Sequence, residues 1–133
     1  MIVDKVKTKK ILIVDDEPNI VLALKYLLQD EGYQTREAYD GQSGFSIALE
    51  WKPDLAMLDI MMPEIDGLEV ARRIRNQSDL NNVQILFLTA KGTSADRIEG
   101  YQAGAELYIV KPFDNNQILE KVAELLNVEN SFT

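Results

Sequence analysis

Four short apolar runs in this chain each end on a residue that can do chemistry. Residues 11–14 end on Asp15 and Asp16, 55–58 on Asp59, 83–88 on Thr89, and 107–110 on Lys111. Carboxylates gathered in one place repel one another and take up protons unless a cation sits among them. The chain has no histidine and no cysteine, so the donors on offer are hard oxygens, which select Mg²⁺, Mn²⁺ or Ca²⁺. Few protein ligands and an open face favour Mg²⁺, with Mn²⁺ as a substitute, because Mg²⁺ keeps several waters and readily shares a phosphate. Lys111 adds a positive point charge and Thr89 a hydroxyl donor. Together these groups suit phosphoryl transfer, which depends mainly on positioning and charge neutralisation. Asp59, on what reads as the middle strand, is the best-placed nucleophile and would form an acyl phosphate.

For these residues to meet, the four runs must be neighbouring strands pointing the same way. The segments between them read as helices. Pro18 fits a first helical turn, and Ile20, Val21, Leu24, Leu27 and Leu28 form one stripe closed by Gly32. Phe45, Ile47, Ala48 and Leu49 carry a second helix to Trp51. A third starts near Asp66 or Gly67 and faces Leu68, Val70, Ala71 and Ile74 inward. A fourth, capped by Thr93 or Ser94, has only Ile98, Tyr101 and Ala103 with Gly100 inside it, so loose packing is expected there. Ile118, Leu119, Val122, Leu125 and Leu126 make a clean last helix. Residues 33–39 alternate loosely, as a polar edge strand does. Strand and helix thus alternate five times, which implies right-handed crossovers and a parallel sheet covered by helices on both faces. In such a fold all loops leaving the strand C-termini share one rim, and ligands bind there.

At 133 residues the chain is one domain, able to bury roughly two thirds of its surface without staples. The missing histidine removes Ser-His triads, imidazole metal sites and a phosphohistidine carrier role. A net charge of −8 argues against direct nucleic-acid or anionic-membrane binding. No apolar run approaches the roughly 20 residues of a membrane span, and no signal-peptide core is present, so a cytoplasmic protein is expected. The loop DDEPN after the first strand has no glycine and would repel a nucleotide phosphate; GxGxxG and GxxxxGK[ST] are absent. A Mg²⁺-dependent phosphohydrolase of small phosphate esters is the competing reading. Haloacid-dehalogenase-like phosphatases, however, carry their nucleophile after strand one in a DxD pattern, usually under a cap, and this chain has neither. The acids could also merely cap helices.

From Lys9 to Leu126 the chain resembles the receiver domain of two-component response regulators. The matching features are the DD pair at Asp15 and Asp16, Asp59 within LDIMMPEIDG, Thr89-Ala90, and Lys111-Pro112-Phe113. The resemblance implies a flavodoxin-like, doubly wound α/β sandwich with five strands in order 2-1-3-4-5 and five helices. It implies that Asp59 accepts phosphate from the phosphohistidine of a sensor histidine kinase or phosphotransfer protein. By the same implication Asp16, Asp59 and the Met61 carbonyl bind Mg²⁺, with Asp15 helping directly or through water. Thr89 and Lys111 would touch the phosphoryl oxygens, and the Lys111–Pro112 peptide would be cis. Thr89 and Tyr108 would form a two-state switch: Thr89 moves toward the phosphoryl group, Tyr108 turns inward, and the face of helix four, strand five and helix five changes shape for a downstream partner or output domain.

The chain also departs from a common pattern. Winged-helix transcription-factor receivers often carry an acidic residue, an Arg and a Glu that pair across a dimer face. Leu107, Lys121 and Gln117 stand at those places here, although Asp96-Arg97 do look like that class, so a monomer or weak homodimer is expected. The positions two past Asp59 and Thr89 flank the approach of hydrolytic water in the family fold. Here they are Met61 and Lys91, neither of which helps a water attack, so a long-lived phosphorylated state is expected. Residues 1–8 read as an N-terminal arm, 9–127 as the receiver and 128–133 as a tail. No output-domain pattern follows, which reads as a stand-alone receiver or the receiver part of a longer regulator.

Overall fold

Apolar runs such as 11–14, 55–58 and 85–88 must be covered on both faces of the sheet they form, and every residue in them is buried. The computed structural model of the chain describes residues 8–126; the tail at 128–133 and all of the arm but Thr8 lie outside them. In chain order the elements are β1 (Lys10–Val14), α1 (Pro18–Asp30), β2 (Gln34–Ala38), α2 (Gly41–Trp51), β3 (Leu55–Leu58), α3 (Gly67–Arg75), a single 3-10 turn (Ser78–Leu80), β4 (Gln84–Thr89), α4 (Ser94–Gln102), β5 (Leu107–Val110) and α5 (Asn115–Leu126). The five strands form one sheet in the order β2-β1-β3-β4-β5, all pairs parallel. The flavodoxin-like architecture and the edge position of β2 are therefore as expected.

Side chains alternate across a strand, and the core divides accordingly. Leu12, Val14, Ala56, Leu58, Ile85 and Phe87 face α2 and α3. Ile11, Ile13, Leu55, Met57, Leu86 and Leu88 face the apolar stripes of α1 and α5. The strands are in register so that Val14 pairs with Leu58, Leu58 with Phe87 and Thr89 with Val110. Every residue just past those pairs consequently lands on the same rim.

Two helices pack differently from the stripes expected of them. On α2 the buried face is Gly41, Gly44 and Ala48, whereas Leu49 is exposed. The helix lies so close to the sheet that a Cβ at Gly44 would come within 2.8 Å of the Val14 side chain. On α4 the expected inward residues Ile98 and Tyr101 are 58% and 45% exposed, Ala103 at the C-cap is buried as expected, and Gly100 is the buried residue within the helix. Thr93 caps α4 through a reciprocal capping box with Asp96, and Asp66 caps α3 by accepting from the Glu69 N–H.

Arg75, at the end of α3, ties the fourth and fifth strands together. Its guanidinium donates to the Gly104 and Val83 carbonyls at 3.0 and 2.7 Å and to both Glu106 carboxylate oxygens at 2.8 and 3.0 Å. Glu106 in turn accepts from the Ile85 N–H, so the loop entering β5 is anchored to the start of β4.

The first residue of α3 is packed against the end of β3: a Cβ at Gly67 would overlap the Asp59 carbonyl oxygen. Because the obstacle is backbone, it cannot rotate away. Gly67→Ala is expected to destabilise the protein by about 1–3 kcal/mol, the usual cost of overpacking. The loss should appear as a lower urea midpoint with an unchanged m-value.

Candidate functional site

One residue beyond the Val14–Leu58 pair, Asp15 and Asp59 stand side by side at the sheet's C-terminal rim. The backbone holds both in place: Asp15 N–H donates to the Ala38 carbonyl and Asp59 N–H to the Val14 carbonyl. Their carboxylates are almost wholly buried, with side-chain exposures of 3% and 6%. Asp59 accepts from the Met61 N–H at 3.2 Å, and Asp15 from the Glu17 N–H at 2.9 Å.

Lys111 arrives from the end of β5, where its N–H donates to the Thr89 carbonyl. Its ammonium donates to Asp15 at 2.9 Å, Glu17 at 3.1 Å and Asp59 at 3.3 Å. One oxygen from each of these three acids lies within 4.8 Å of the others. The third member was not singled out from the sequence. Glu17 occupies the N-cap of α1 yet makes no side-chain cap, because its carboxylate turns to Lys111 instead. Only its place in the run DDE could have pointed to it.

Asp16, by contrast, is exposed, but it lines the same open cleft as Glu17, Asp59, Met61, Ala90 and Lys111. Met61 is 56% exposed. Thr89 is fully buried, and its hydroxyl oxygen accepts from the Lys91 N–H at 3.3 Å. The Lys91 side chain leans away, toward Asp96 at 3.8 Å. Tyr108 is buried, donates its hydroxyl to the Lys91 carbonyl at 2.6 Å and lies edge-on to Phe87. The Lys111–Pro112 peptide is cis.

Charge and burial oppose each other here. Burial raises the Asp15 pKa above the ordinary carboxylate value, and the Asp59 charge adds to this; the bonds from Lys111 and the Glu17 N–H only partly offset it. For Lys111 burial alone lowers the pKa, but the bonds to Asp15 and Glu17 and the charge of Asp59 outweigh it and hold the value well above the usual lysine range. The ammonium therefore stays charged in the fold. Its stabilising contribution is present through neutral pH and is lost only as the pH climbs through that raised value. Asp15 has the opposite sense: the fold holds its proton more tightly than the unfolded chain does, so ionised Asp15 opposes folding at neutral pH.

The arrangement is that of a known family. The model for the response regulator receiver domain matches residues 11–123. The chain belongs to that family. Across 117 residues it is 40% identical to the DNA-binding dual master transcriptional regulator RpaA of a Synechocystis strain, covering 88% of this chain and 48% of that protein. Across 126 residues it is 40% identical to the transcriptional regulatory protein SrrA of Staphylococcus aureus, covering 95% and 51% respectively. The receiver thus spans about half the length of these curated relatives. Among solved structures, the response regulator TrrA of Thermotoga maritima in complex with Mg²⁺-BeF aligns at a TM-score of 0.80 and 42% identity, covering 90% of this chain and 100% of that one. The chemotaxis protein CheY4 of Vibrio cholerae aligns at 0.86 and 32%, over 90% and 100%. The receiver is thus a two-component signalling domain whose acidic cluster offers the carboxylate oxygens that a divalent cation takes. Among its described residues no helix is long and apolar enough to cross a membrane.

The strain at Asp15 gives a direct test. Asp15→Asn keeps an acceptor for Lys111 and for the Glu17 N–H while removing a charge that opposes folding. In metal-free buffer at pH 7 the variant is expected to be more stable by about 0.5–2 kcal/mol, the common yield of relieving a local charge conflict. Thermal melts should show this gain shrinking as the pH falls and wild-type Asp15 takes up its proton.

Proposed function

We propose that this receiver is a phosphorylation-activated switch in which Asp59 takes a phosphoryl group from the phosphohistidine of a sensor histidine kinase or a phosphotransfer protein. The observation that carries the reading is the buried Asp59 carboxylate facing the Lys111 ammonium at 3.3 Å, on an open rim shared with Asp15 and Glu17. A carboxylate oxygen of Asp59 bonds to phosphorus as the P–N bond to the donor imidazole breaks, and the bonding pair stays on the imidazole nitrogen. Lys111 faces the phosphoryl oxygens and the Thr89 hydroxyl donates to one of them. Asp15, Asp16, Asp59 and the Met61 carbonyl would hold Mg²⁺, or Mn²⁺ in its place, with Glu17 enlarging the donor set. The ion supplies charge neutralisation between two anions that must approach. The protein thus catalyses its own phosphorylation and slow dephosphorylation, and no separate small-molecule substrate is required.

The output follows from Thr89 and Tyr108, which both bond to the backbone of Lys91: Thr89 accepts from its N–H and Tyr108 donates to its carbonyl. A shift of Thr89 toward a phosphoryl group is felt at Tyr108 and so on the face built from α4, β5 and α5. The downstream partner or output domain reads that face in the cytoplasm. Two relatives are named as transcriptional regulators, which favours an output that reaches DNA through another domain and not through this acidic one. Lys121 pairs with Glu124 on its own helix at 3.5 Å, which fits a monomer or a weak homodimer.

Incubation with Mg²⁺ and acetyl phosphate should add one phosphoryl mass that is acid-stable and base-labile, and Asp59→Asn should abolish it. A phosphohydrolase would instead turn over many equivalents of a simple ester such as p-nitrophenyl phosphate. Turnover without an adduct would refute the switch.

The lifetime of the adduct is testable separately. Met61 is apolar and cannot position a water by hydrogen bonding, and Lys91 adds a cation beside the rim. Met61→Asn/Lys91→Glu is expected to shorten the phosphorylated lifetime by about tenfold, a change of about 1.4 kcal/mol in the barrier. Met61→Asn should account for most of it, because Lys91 is held toward Asp96. Timed phosphate loss with Mg²⁺ and no phosphatase measures this; a double variant no faster than wild type defeats the shielding idea.

A further inference from the structure

Glycine is the poorest of the ordinary helix formers, yet Gly100 sits inside α4, a helix of nine residues. It is also the residue that α4 buries. A Cβ built there would lie 2.7 and 2.8 Å from two ring carbons of Tyr108 and 3.2 Å from Phe87. Real Cβ atoms do not come that close, so a side chain at this position and the Tyr108 ring cannot both occupy their places. The other walls around the ring come from the same helix and its entry loop. The Arg97 guanidinium lies 5.6 Å from the ring centroid, the Tyr101 ring 6.2 Å away, and the Lys91 carbonyl accepts the Tyr108 hydroxyl.

We propose that Gly100 is the positioning residue of the switch: its missing side chain is the seat of the Tyr108 ring, and that seat sets how fully the ring can occupy its inward place. This rests on the switch reading above but concerns a different residue and a different measurement. The physical logic is a balance between two states. The seated ring gains a hydroxyl hydrogen bond, an edge-to-face contact with Phe87 and a cation over its face. A methyl group at position 100 takes that space, meeting the Tyr108 ring first and Phe87 less closely, and it leaves the phosphorylation site untouched. Thr89 then supplies the signal, while Gly100 sets the depth of the well that the ring falls into.

A double-mutant cycle tests this. Alanine is the better helix former, so Gly100→Ala should raise the melting temperature wherever no ring is in the way. In the wild-type background it is expected to lower the melting temperature by several degrees, and in a Tyr108→Ala background to raise it. Failure of Gly100→Ala to fold with Tyr108 present, rescued by Tyr108→Ala, supports the seat equally. A rise in both backgrounds, or failure in both, overturns it.

Ring position is read independently by ¹⁹F NMR of protein labelled with 3-fluorotyrosine, the Tyr108 resonance being assigned by its loss in Tyr108→Phe. Gly100→Ala should move that resonance toward the solvent-exposed position and make it sensitive to a soluble paramagnetic quencher. An unmoved resonance overturns the proposal. Asp59 labelling by acetyl phosphate serves as the control. Gly100→Ala should still gain one phosphoryl mass, but the resonance should no longer shift on labelling as it does in wild type. If wild type itself takes no label, the switch reading fails, while the cycle and the quencher experiment still decide whether Gly100 seats the ring.

Discussion

One ammonium shared among three carboxylates governs the top of this molecule. Lys111 lies within 3.3 Å of Asp15, Glu17 and Asp59, and without it two nearly buried acids would face each other with no counter-charge. Such a pair could be relieved by taking up protons or by opening the rim. Holding the ammonium there demands that β5 end beside β4 at the height where β1 and β3 end. Parallel pairing in the observed register supplies that, since the residue after each strand is delivered to the same edge. The sheet is in this sense a device for bringing like charges together and one cation to them. The apolar runs 11–14, 55–58 and 85–88 of its inner strands provide the burial beneath them.

The packing around that sheet is uneven. The face toward α1 and α5 is closed by long aliphatic stripes. The face toward α2 and α3 is closed by glycine-mediated approach and by Ile74, Val70 and Leu68. On α4 only a glycine is buried; the Thr93–Asp96 capping box closes the helix's own first turn, and Gly100 seats it against the Tyr108 ring. An element with few buried apolar contacts opens or shifts at low free-energy cost. The Arg75–Glu106 pair marks the limit of such movement, because it anchors the loop entering β5 to β4 and to the end of α3.

Much of this was legible in the chain because each signal was local. An apolar run ending abruptly on Asp15, Asp59, Thr89 or Lys111 reports a buried strand reaching an exposed rim, and alternation of strand and helix reports a parallel sheet. What stayed hidden depended on distance of approach. Gly44 and Gly67 are contact surfaces, since close packing against the Val14 side chain and the Asp59 backbone respectively leaves no room for a side chain. On α4 the apolar letters Ile98 and Tyr101 suggested a buried stripe that faces solvent, because the ring of Tyr108 fills the space such a stripe would occupy. Glu17 was visible as a third acid, but its turn away from the helix end toward Lys111 is a tertiary choice. Arg75 and Glu106 are ordinary charged letters 31 positions apart, and nothing short of the fold brings them together.

Three carboxylates against one ammonium leave two formal negative charges at the site, and that is the charge a divalent ion balances. Asp16 stands on the wall of the same cleft, so the donor set can grow without rearranging the buried pair. A phosphoryl group on Asp59 would increase the negative charge there, which calls for Lys111 to weight its contacts toward Asp59 and release Glu17. Glu17 is the member best able to let go: its side chain is 61% exposed, against 3% for Asp15, so water can replace the lost partner at little cost. The site thus pairs two fixed acids with one exchangeable acid. That leaves a single lysine able to hold the resting acids together and still turn toward a new anion.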